Sequence, residues 1–585
     1  MKTSKTVALA LLLFFLNPSL LWGSPFLSST PTMPLGDVRP GQRGEARTVL
    51  SGEEIVAFPL EVVSILQRKS RPNTLILIRA EGPLIEKTGG IAAGMSGSPV
   101  FIEGRLVGAI GYGWNFSDHR LGLVTPIDEM AGAWNWPATS TRMPDPVPLA
   151  GSEGDTLLEE VLLSDDLLSG DVEEQMVLLS DGISARASSA LASRLGVRIE
   201  GLSGSGGEAA LPVETDWKPL PGAAVGVLLA WGDVSLGATG TLTALDGAGR
   251  FVAFAHPFLS RGPVAYPLTR SVVHAVVPSL EAPFKLGEAK AIVGTVTQDR
   301  PQAIGGQLGQ FPPAVAVSVT FRDVDMRREL KKGFQVVNDP FIVSNVVPEA
   351  LLGLLDDLWG RLGEGTVRAS VRLEGRNLVE GWTRKNMFFS GSDVIGAAVG
   401  DIRFLTELVT LNPFREIFPL GIDVDVEITR EPRVLFIEDV TLKDKEVEAG
   451  KKVEVTVKLR PYRKDLETRT FSLDVPAEAS GPCEVVVRGG GIAEPEQESL
   501  LAGWRSITDL EQLLTEVDAK ESNNEVIVEL IVPPKDPLSG AEEEQKLLSE
   551  VKSERLKEGT LRIFRSNYYV EGLMRRIVTI KGGNP

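Results

Sequence analysis

Proton-transfer chemistry near neutral pH has few places to start in this chain. Its 585 residues include three histidines, His119, His256 and His274, and one cysteine, Cys483. A single cysteine excludes an intramolecular disulfide and any multi-cysteine zinc site, and three scattered histidines make a poor zinc set. The next candidate is a serine in a glycine-rich setting, Gly94-Met95-Ser96-Gly97-Ser98-Pro99, followed at once by the apolar Val100-Phe101-Ile102. Glycines on both sides allow positive φ angles and leave Ser96 uncrowded. The N–H groups of Gly94 and Ser96 are placed to converge on a developing oxyanion. An ordinary tight turn between two strands is the plain alternative, and Ser98 is the other hydroxyl of the motif.

Serine is a weak nucleophile until a base takes its proton, so a partner has to come from elsewhere. His119 lies in the polar stretch Asn115 to Arg120 and reads as a solvated surface residue; His274, within Val272 to Val276, reads as a partly buried structural one. His256 ends the apolar run Phe251 to Ala255 and is followed by Pro257. A histidine fixed at a strand end has the rigidity a catalytic base needs. Other chemistries have less support. The stretch Gly89 to Gly97 lacks the Lys-Ser/Thr ending of a phosphate-binding loop, and Asp165-Asp166, Asp356-Asp357 and Glu542 to Glu544 read as solvated faces.

The elements that must hold Ser96 and His256 are mostly strands. Residues 53–66 and 74–79 alternate or run apolar, Val100 to Ile102 and Leu106 to Ile110 flank the turn Glu103-Gly104 as a hairpin, and 121–126 add another short strand. The segment 152–175 is acidic and reads as a connection or a short surface helix, and Ile183 to Leu195 reads as a helix ended by Gly196. Strand character returns from Ala223, through Gly240 to Ala244 and up to His256, and again at 291–296. Pro348 to Leu362 and Asp401 to Leu411 read as helices and 421–428 as a strand. Alternation from Val434 onward suggests a β-sandwich. Thr508 and Glu511 form a capping box ahead of a helix to Val517, Val526 to Val532 is a strand, and Glu542 to Lys557 is a charged helix.

These residues carry a resemblance. Gly-x-Ser-Gly-x-Pro before a strand is similar to the nucleophile turn of trypsin-like serine proteases. The run Glu86-Lys87-Thr88-Gly89-Gly90-Ile91 into the serine motif, with Gly104 to Ala109 behind it, resembles the core of the SpoIVB-type serine peptidases, secreted proteases of spore-formers with relatives in other bacteria. Gly240 to Phe258 is similar to that family's histidine region, where a glycine usually precedes the histidine and this chain has Ala255. The resemblance implies Ser96 as nucleophile, His256 as general base and the amides of Gly94 and Ser96 as oxyanion hole. In the sporulation protease the histidine segment precedes the serine; here Ser96 precedes His256, which a spatially defined site tolerates. Where family members place an aspartate ahead of the serine, this chain has Glu81. Asp299, after His256 as in trypsin-like enzymes, is the rival acid, and both stay open. No PDZ-like carboxylate-binding loop is visible.

The fold implied is mainly β and multidomain, with α+β parts: a chymotrypsin-like double β-barrel peptidase unit with the serine half before the histidine half, then an α/β unit and a C-terminal β-sandwich-like module. The expected boundaries are a signal peptide over 1–24, the serine half over 35–145, an acidic connector with a helix over 146–215, and the histidine half over 216–330. The α/β unit follows over 331–430, the sandwich-like module over 431–490 and a C-terminal α/β segment over 491–585. A chain of this length needs several cores, about four at ~150 residues per domain.

The net charge of −18 speaks against nucleic acid or an anionic membrane as the main partner. Lys2 and Lys5 before the apolar run Val7 to Leu16, then small residues at Gly23 and Ser24, read as a secretory signal peptide. The chain is expected to be exported, periplasmic or extracellular, with membrane association only if that segment stays uncleaved. No cofactor and no metal is implied. The expected partner is a protein or peptide substrate, an envelope protein or, by the resemblance, the chain itself through self-processing. The competing class is a non-catalytic binding or scaffold protein that retains the peptidase fold.

Overall fold

The computed structural model describes residues 26–136, 173–174, 176–201, 211–376, 378–417, 420–492, 507–533 and 546–581. The expected signal peptide and most of the acidic connector lie outside the described residues. What is described is mainly β.

Six strands form the serine-bearing unit: β1 (Arg43–Val49), β2 (Ile55–Gln67), β3 (Thr74–Ala80), β4 (Pro99–Ile102), β5 (Arg105–Gly113) and β6 (Leu121–Pro126), with helix α1 (Pro83–Thr88) between β3 and β4. They pair in the order β4-β1-β2-β3-β6-β5, and a further β4–β5 pairing closes the ring. Closure leaves no free edge among these strands. Val100 and Ile102 point into this barrel with Phe58, Ile78 and Val124. Phe101 points the other way, into a second cluster that contains Ala109 from this barrel and Ala244, Val252, Ala255 and Ala303 from the next. The apolar run after the serine motif is therefore buried on both faces. A two-residue strand, β7 (Glu173–Glu174), extends the sheet beyond β5.

The second ring is built from β10 (Ala224–Gly232), β11 (Ser235–Leu245), β12 (Arg250–Ala253), β13 (Gly262–Val277), β14 (Phe284–Arg300) and β15 (Ala303–Leu308), preceded by β8 (Leu178–Asp181), helix α2 (Ala185–Leu195) and β9 (Ile199–Gly201). The order β10-β13-β14-β15-β12-β11 is closed by a β10–β11 pairing. This second barrel does not stop at residue 330. Strand β17 (Arg328–Val337) pairs with β10 and with β16 (Ala314–Asp323), and the sheet continues through β20 (Leu420–Thr429), β18 (Gly365–Gly375) and β19 (Leu378–Ser390). The expected boundary at 330/331 falls inside strand β17, so the α/β unit and the histidine barrel share one 13-stranded sheet. Helices α3 (Pro340–Trp359) and α4 (Val394–Thr410) cover it, and α3 begins eight residues before the run that suggested it because Asp339 caps its N-terminus.

The C-terminal strands make two further sheets, one of four strands and one of five. Val455 and Val457 of the first meet Val485, Val528 and Val578 of the second in one core, as in a sandwich. The expected division at 490/491 is corrected, because strands from both sides of it build the five-stranded sheet. Helix α5 (Leu510–Ala519) is capped by Asp509, which accepts from the Gln512 N–H, while Gln512 returns a carbonyl to the Thr508 N–H. The reciprocal cap thus sits one residue later than the expected Thr508–Glu511 pair. The charged helix expected over 542–557 is α6 (Leu548–Glu558).

Candidate active site

The serine turn lies on the seam between the two barrels. Gly94 and Gly97 take φ angles of +88° and +89°, conformations that glycine reaches without steric cost. Gly97 has a second reason to be glycine: a Cβ there would lie 2.0 Å from the Thr241 carbonyl oxygen and 2.5 Å from the Phe254 nitrogen. Within the turn, the N–H groups of Met95, Gly97 and Ser98 donate to the carbonyls of Ala92, Ile110 and Met95. Strand β11 straps it from the other barrel. The Thr241 N–H donates to the Ser96 carbonyl at 2.8 Å, the Thr241 hydroxyl to the Gly94 carbonyl at 3.1 Å, and the Thr243 hydroxyl to the Gly97 carbonyl at 2.7 Å. Ser98 points its hydroxyl at Thr241 Oγ1 at 3.5 Å. Ser96 itself is buried, 2% exposed.

The histidine turn faces the same seam from β12. Phe254 and Ala255 both have positive φ, +68° and +61°, and the Ala255 carbonyl accepts the Thr125 hydroxyl of the serine barrel at 2.6 Å. His256 is fully buried, its ring 6.0 Å from that of Tyr112 and 5.9 Å from that of Phe254. Nδ1 faces the Pro257 carbonyl oxygen. A carbonyl only accepts, so the proton is on Nδ1 and Nε2 carries the lone pair. Nε2 is buried and has no hydrogen-bond partner among the described residues. Burial holds the imidazole well below its usual range, at about 4, against the opposing pull of the Pro257 carbonyl. At neutral pH His256 is thus an uncharged base whose Nε2 lone pair is unpartnered among the described residues. Neither ring nitrogen hydrogen-bonds Ser96.

Neither candidate acid touches the histidine. Asp299, on β14, accepts three backbone N–H groups, those of Phe258, Leu259 and Arg261, at 2.7, 2.8 and 3.0 Å. It is buried, which raises its pKa against the three donors, and it clamps the loop that follows His256 without contacting the imidazole. Glu81 follows β3, with its N–H on the Pro59 carbonyl. The group opposite Nδ1 is the main-chain carbonyl of Pro257, which residue types alone could not have shown.

The other two histidines change places relative to expectation. His119 is buried, 8% exposed, because its ring nitrogen meets the Leu280 carbonyl at the tip of the β13–β14 hairpin at 3.2 Å and its carbonyl accepts the Ile91 N–H. His274 is the exposed one, its side chain 51% accessible and 2.9 Å from Glu288.

Sequence reasoning missed Lys285, on β14. It is buried, 2% exposed, and Nζ lies 2.7 Å from Thr48 Oγ1 and 3.4 Å from Thr241 Oγ1. A Cβ on Gly94 would meet the Lys285 side chain at 3.0 Å. Desolvation alone pulls its amine down to about 7. The order Phe284-Lys285-Leu286 suggests the lysine faces out, and strand pairing reverses this: Lys285 is buried while its two apolar neighbours are only partly covered.

Residues 29–131 match the family model described as SpoIVB peptidase S55. That segment, under a fifth of the chain, holds the whole first barrel and Ser96, and what it matches is the serine peptidase domain of the SpoIVB type. The comparisons with curated proteins and with solved structures each found no match.

Proposed function

We propose, with the SpoIVB peptidase S55 match over residues 29–131 as premise, that this chain is an exported serine endopeptidase in which Ser96 attacks a peptide carbonyl and His256 accepts its proton. The observation that carries the pairing is the buried, uncharged imidazole whose Nε2 lone pair has no partner among the described residues, on the seam that also holds the serine turn. A buried acceptor left unpartnered costs about 1–3 kcal/mol, and such costs concentrate at functional sites. The two closed rings, serine-bearing first, support the reading of a chymotrypsin-like double barrel with its halves exchanged in sequence.

In the first step the Ser96 Oγ–H bond breaks as the Oγ–C bond forms, and the proton goes to His256 Nε2. The oxyanion is assigned to the amides of Gly94 and Ser96, the positions that the trypsin-like turn implies, while the N–H groups of Met95, Gly97 and Ser98 donate to carbonyls. The imidazolium returns its proton to the leaving amine, and water then hydrolyses the acyl-enzyme. The Pro257 carbonyl takes the role of the triad acid toward Nδ1–H. Asp299 acts one step out, by holding the His256 loop. Ser96 and His256 have to approach within about 2.6–3.2 Å for transfer, a closure that unliganded sites commonly make only with substrate present. The substrate class is an unfolded or extended segment of an envelope protein, or of this chain.

A fluorophosphonate probe tests the reading. The wild type should be labelled at Ser96, and labelling should vanish in Ser96→Ala and fall by a factor of about 100 or more in His256→Ala. Burial of Ser96 is the observation that favours the second reading, a scaffold that has kept the peptidase fold. Absence of labelling in the wild type, with and without candidate substrate, would establish that second reading.

A further inference from the structure

Lys285 has the wrong surroundings for a structural lysine. A buried ammonium presents three N–H donors and normally meets a carboxylate. Lys285 meets two threonine hydroxyls, Thr48 on β1 and Thr241 on β11, and the side chain passes directly under Gly94. Among the described residues no charged group faces it. On β1 the nearest charges are Arg47 and Glu45, which pair with each other on the opposite face, where Arg47 lies over the Phe101 ring. Strand β11 and the serine turn contain no charged residue. On β13 and β14 the ionisable neighbours are His274, Glu288 and Lys290, with Glu288 paired to the other two at partly exposed positions.

The two hydroxyls do more than receive the amine. Thr241 Oγ1 accepts from Lys285 Nζ and from Ser98 Oγ and donates onward to the Gly94 carbonyl, while the Thr241 N–H holds the Ser96 carbonyl. The amine therefore fixes which way the Thr241 hydroxyl points, and that hydroxyl fixes the peptide plane after Gly94. The planes that carry the Gly94 and Ser96 carbonyls flank the Met95–Ser96 plane that carries the Ser96 N–H, and because each peptide is rigid, fixing the two outer planes restricts the middle one.

We propose that the uncharged amine of Lys285 is a positioning group of the serine turn: through Thr241 it locks the carbonyls of Gly94 and Ser96 and so aims the turn's N–H groups at the oxyanion. This rests on Ser96 being the nucleophile. Adding a proton gives the amine a third donor and a charge with no anion to meet either, so water must enter the seam and the strap on the turn loosens. The charge state is set by burial with hydroxyl partners alone, which brings the group into the neutral range. Peptidase activity is thereby coupled to the deprotonation of a lysine that does not itself take the serine's proton.

The test uses the full chain, the second-order rate of fluorophosphonate labelling at Ser96 between pH 5.5 and 9, and amide hydrogen exchange over residues 94–98. In the wild type the rate should climb through pH about 7. Lys285→Met, which keeps the length and removes the donors, should lower the rate at pH 8 by about tenfold to a hundredfold and abolish that climb. Lys285→Arg, which fixes the charge, should not restore it. Exchange, corrected for its intrinsic pH dependence, should show the wild-type turn less protected at pH 5.5 than at pH 8, a readout that needs neither a variant nor turnover. Lys285→Met labelling at the wild-type rate with the wild-type pH profile would overturn the proposal. So would a turn whose protection is the same on both sides of pH 7. Failure of the peptidase reading looks different: no labelling of the wild type at any pH, with the exchange result still deciding whether Lys285 holds the turn.

Discussion

The two turns that meet on the seam are built by opposite means. The serine turn reaches positive φ with glycines, Gly94 and Gly97, and is strapped by three hydrogen bonds from Thr241 and Thr243. The histidine turn reaches the same region of backbone space with Phe254 and Ala255, residues for which that region is unfavourable. One arm of the site is relaxed and glued to its neighbour. The other is strained, and it is held by the Thr125 hydroxyl and, in the loop that follows, by the Asp299 carboxylate. Strain of this kind persists only where the surroundings over-determine it, and it gathers at functional sites. Since Ser96 and His256 are not hydrogen-bonded in this structure, the contrast makes the histidine arm the one with stored energy to move.

The largest expected effect breaks the relaxed arm. Gly97→Ala places a methyl 2.0 Å from a main-chain oxygen of the other barrel, and neither strand can yield without losing its pairing. A loss of more than about 4 kcal/mol is expected, visible in urea unfolding as a collapse of the first transition or as failure to fold. A Gly97→Ala protein of wild-type stability would mean that the barrels do not close on each other as described.

Next in size is Asp299→Asn. One amide group cannot accept three N–H donors and turns its own NH2 toward at least one of them, so about 2–3 kcal/mol is expected to be lost. Because the clamp holds the loop after His256, labelling of Ser96 should fall with it. If Asp299 were instead the triad acid, labelling would fall by several orders of magnitude with stability little changed. That pair of readings separates a loop clamp from a catalytic carboxylate.

The imidazole adds a pH signature. Its folded-state value, about 4, lies below the ordinary 6.5, so between those limits the unfolded chain binds the proton and the native one does not. Stability should therefore fall as pH drops from 6.5 to 4 and level off below, by about 3 kcal/mol if the whole difference is expressed. His256→Phe, which keeps a ring between Tyr112 and Phe254, should flatten that limb. Unchanged pH dependence in the variant would show that the imidazole is hydrated and reachable, contrary to its full burial.

How much of this could be read in the sequence follows the same division. Glycine and apolar patterning are local, so the serine turn and the hairpin behind it are legible, whereas the strand expected to run to His256 stops at Ala253 and gives way to a turn. The pairing of strands far apart in the chain was not. The β10–β17 ladder that fuses the histidine barrel to the following unit, and the return of strands after 525 into the sandwich, leave no local trace. The same holds for Lys285, which reads as outward-facing between apolar Phe284 and Leu286, and for His119, which reads as solvated in a polar stretch; both are buried by contacts with residues far away in the chain. The third partner of His256 was sought among carboxylates because side chains are what a sequence displays; a main-chain carbonyl is available at every position and marks none.

The finest test of the contrast is Ala255→Gly. Ala255 sits at φ +61°, where its Cβ crowds the following carbonyl at a cost of about 1–2 kcal/mol, and glycine removes that cost. Against this runs the extra freedom glycine gives the unfolded chain, about 0.5–1 kcal/mol, together with the apolar burial of the Ala255 methyl in the cluster that includes Val252 and Ala303. The balance predicts a change within about 1 kcal/mol, in the stabilising direction, measured by urea unfolding. Labelling speaks to the mechanism: relief of strain in the histidine arm should alter the rate of Ser96 labelling while leaving the pH limb of His256 in place. A clear loss of stability, above about 1 kcal/mol, would mean that packing of the Ala255 methyl outweighs the strain. The histidine arm would then be held as tightly as the serine arm, and the stored energy assigned to it would be gone.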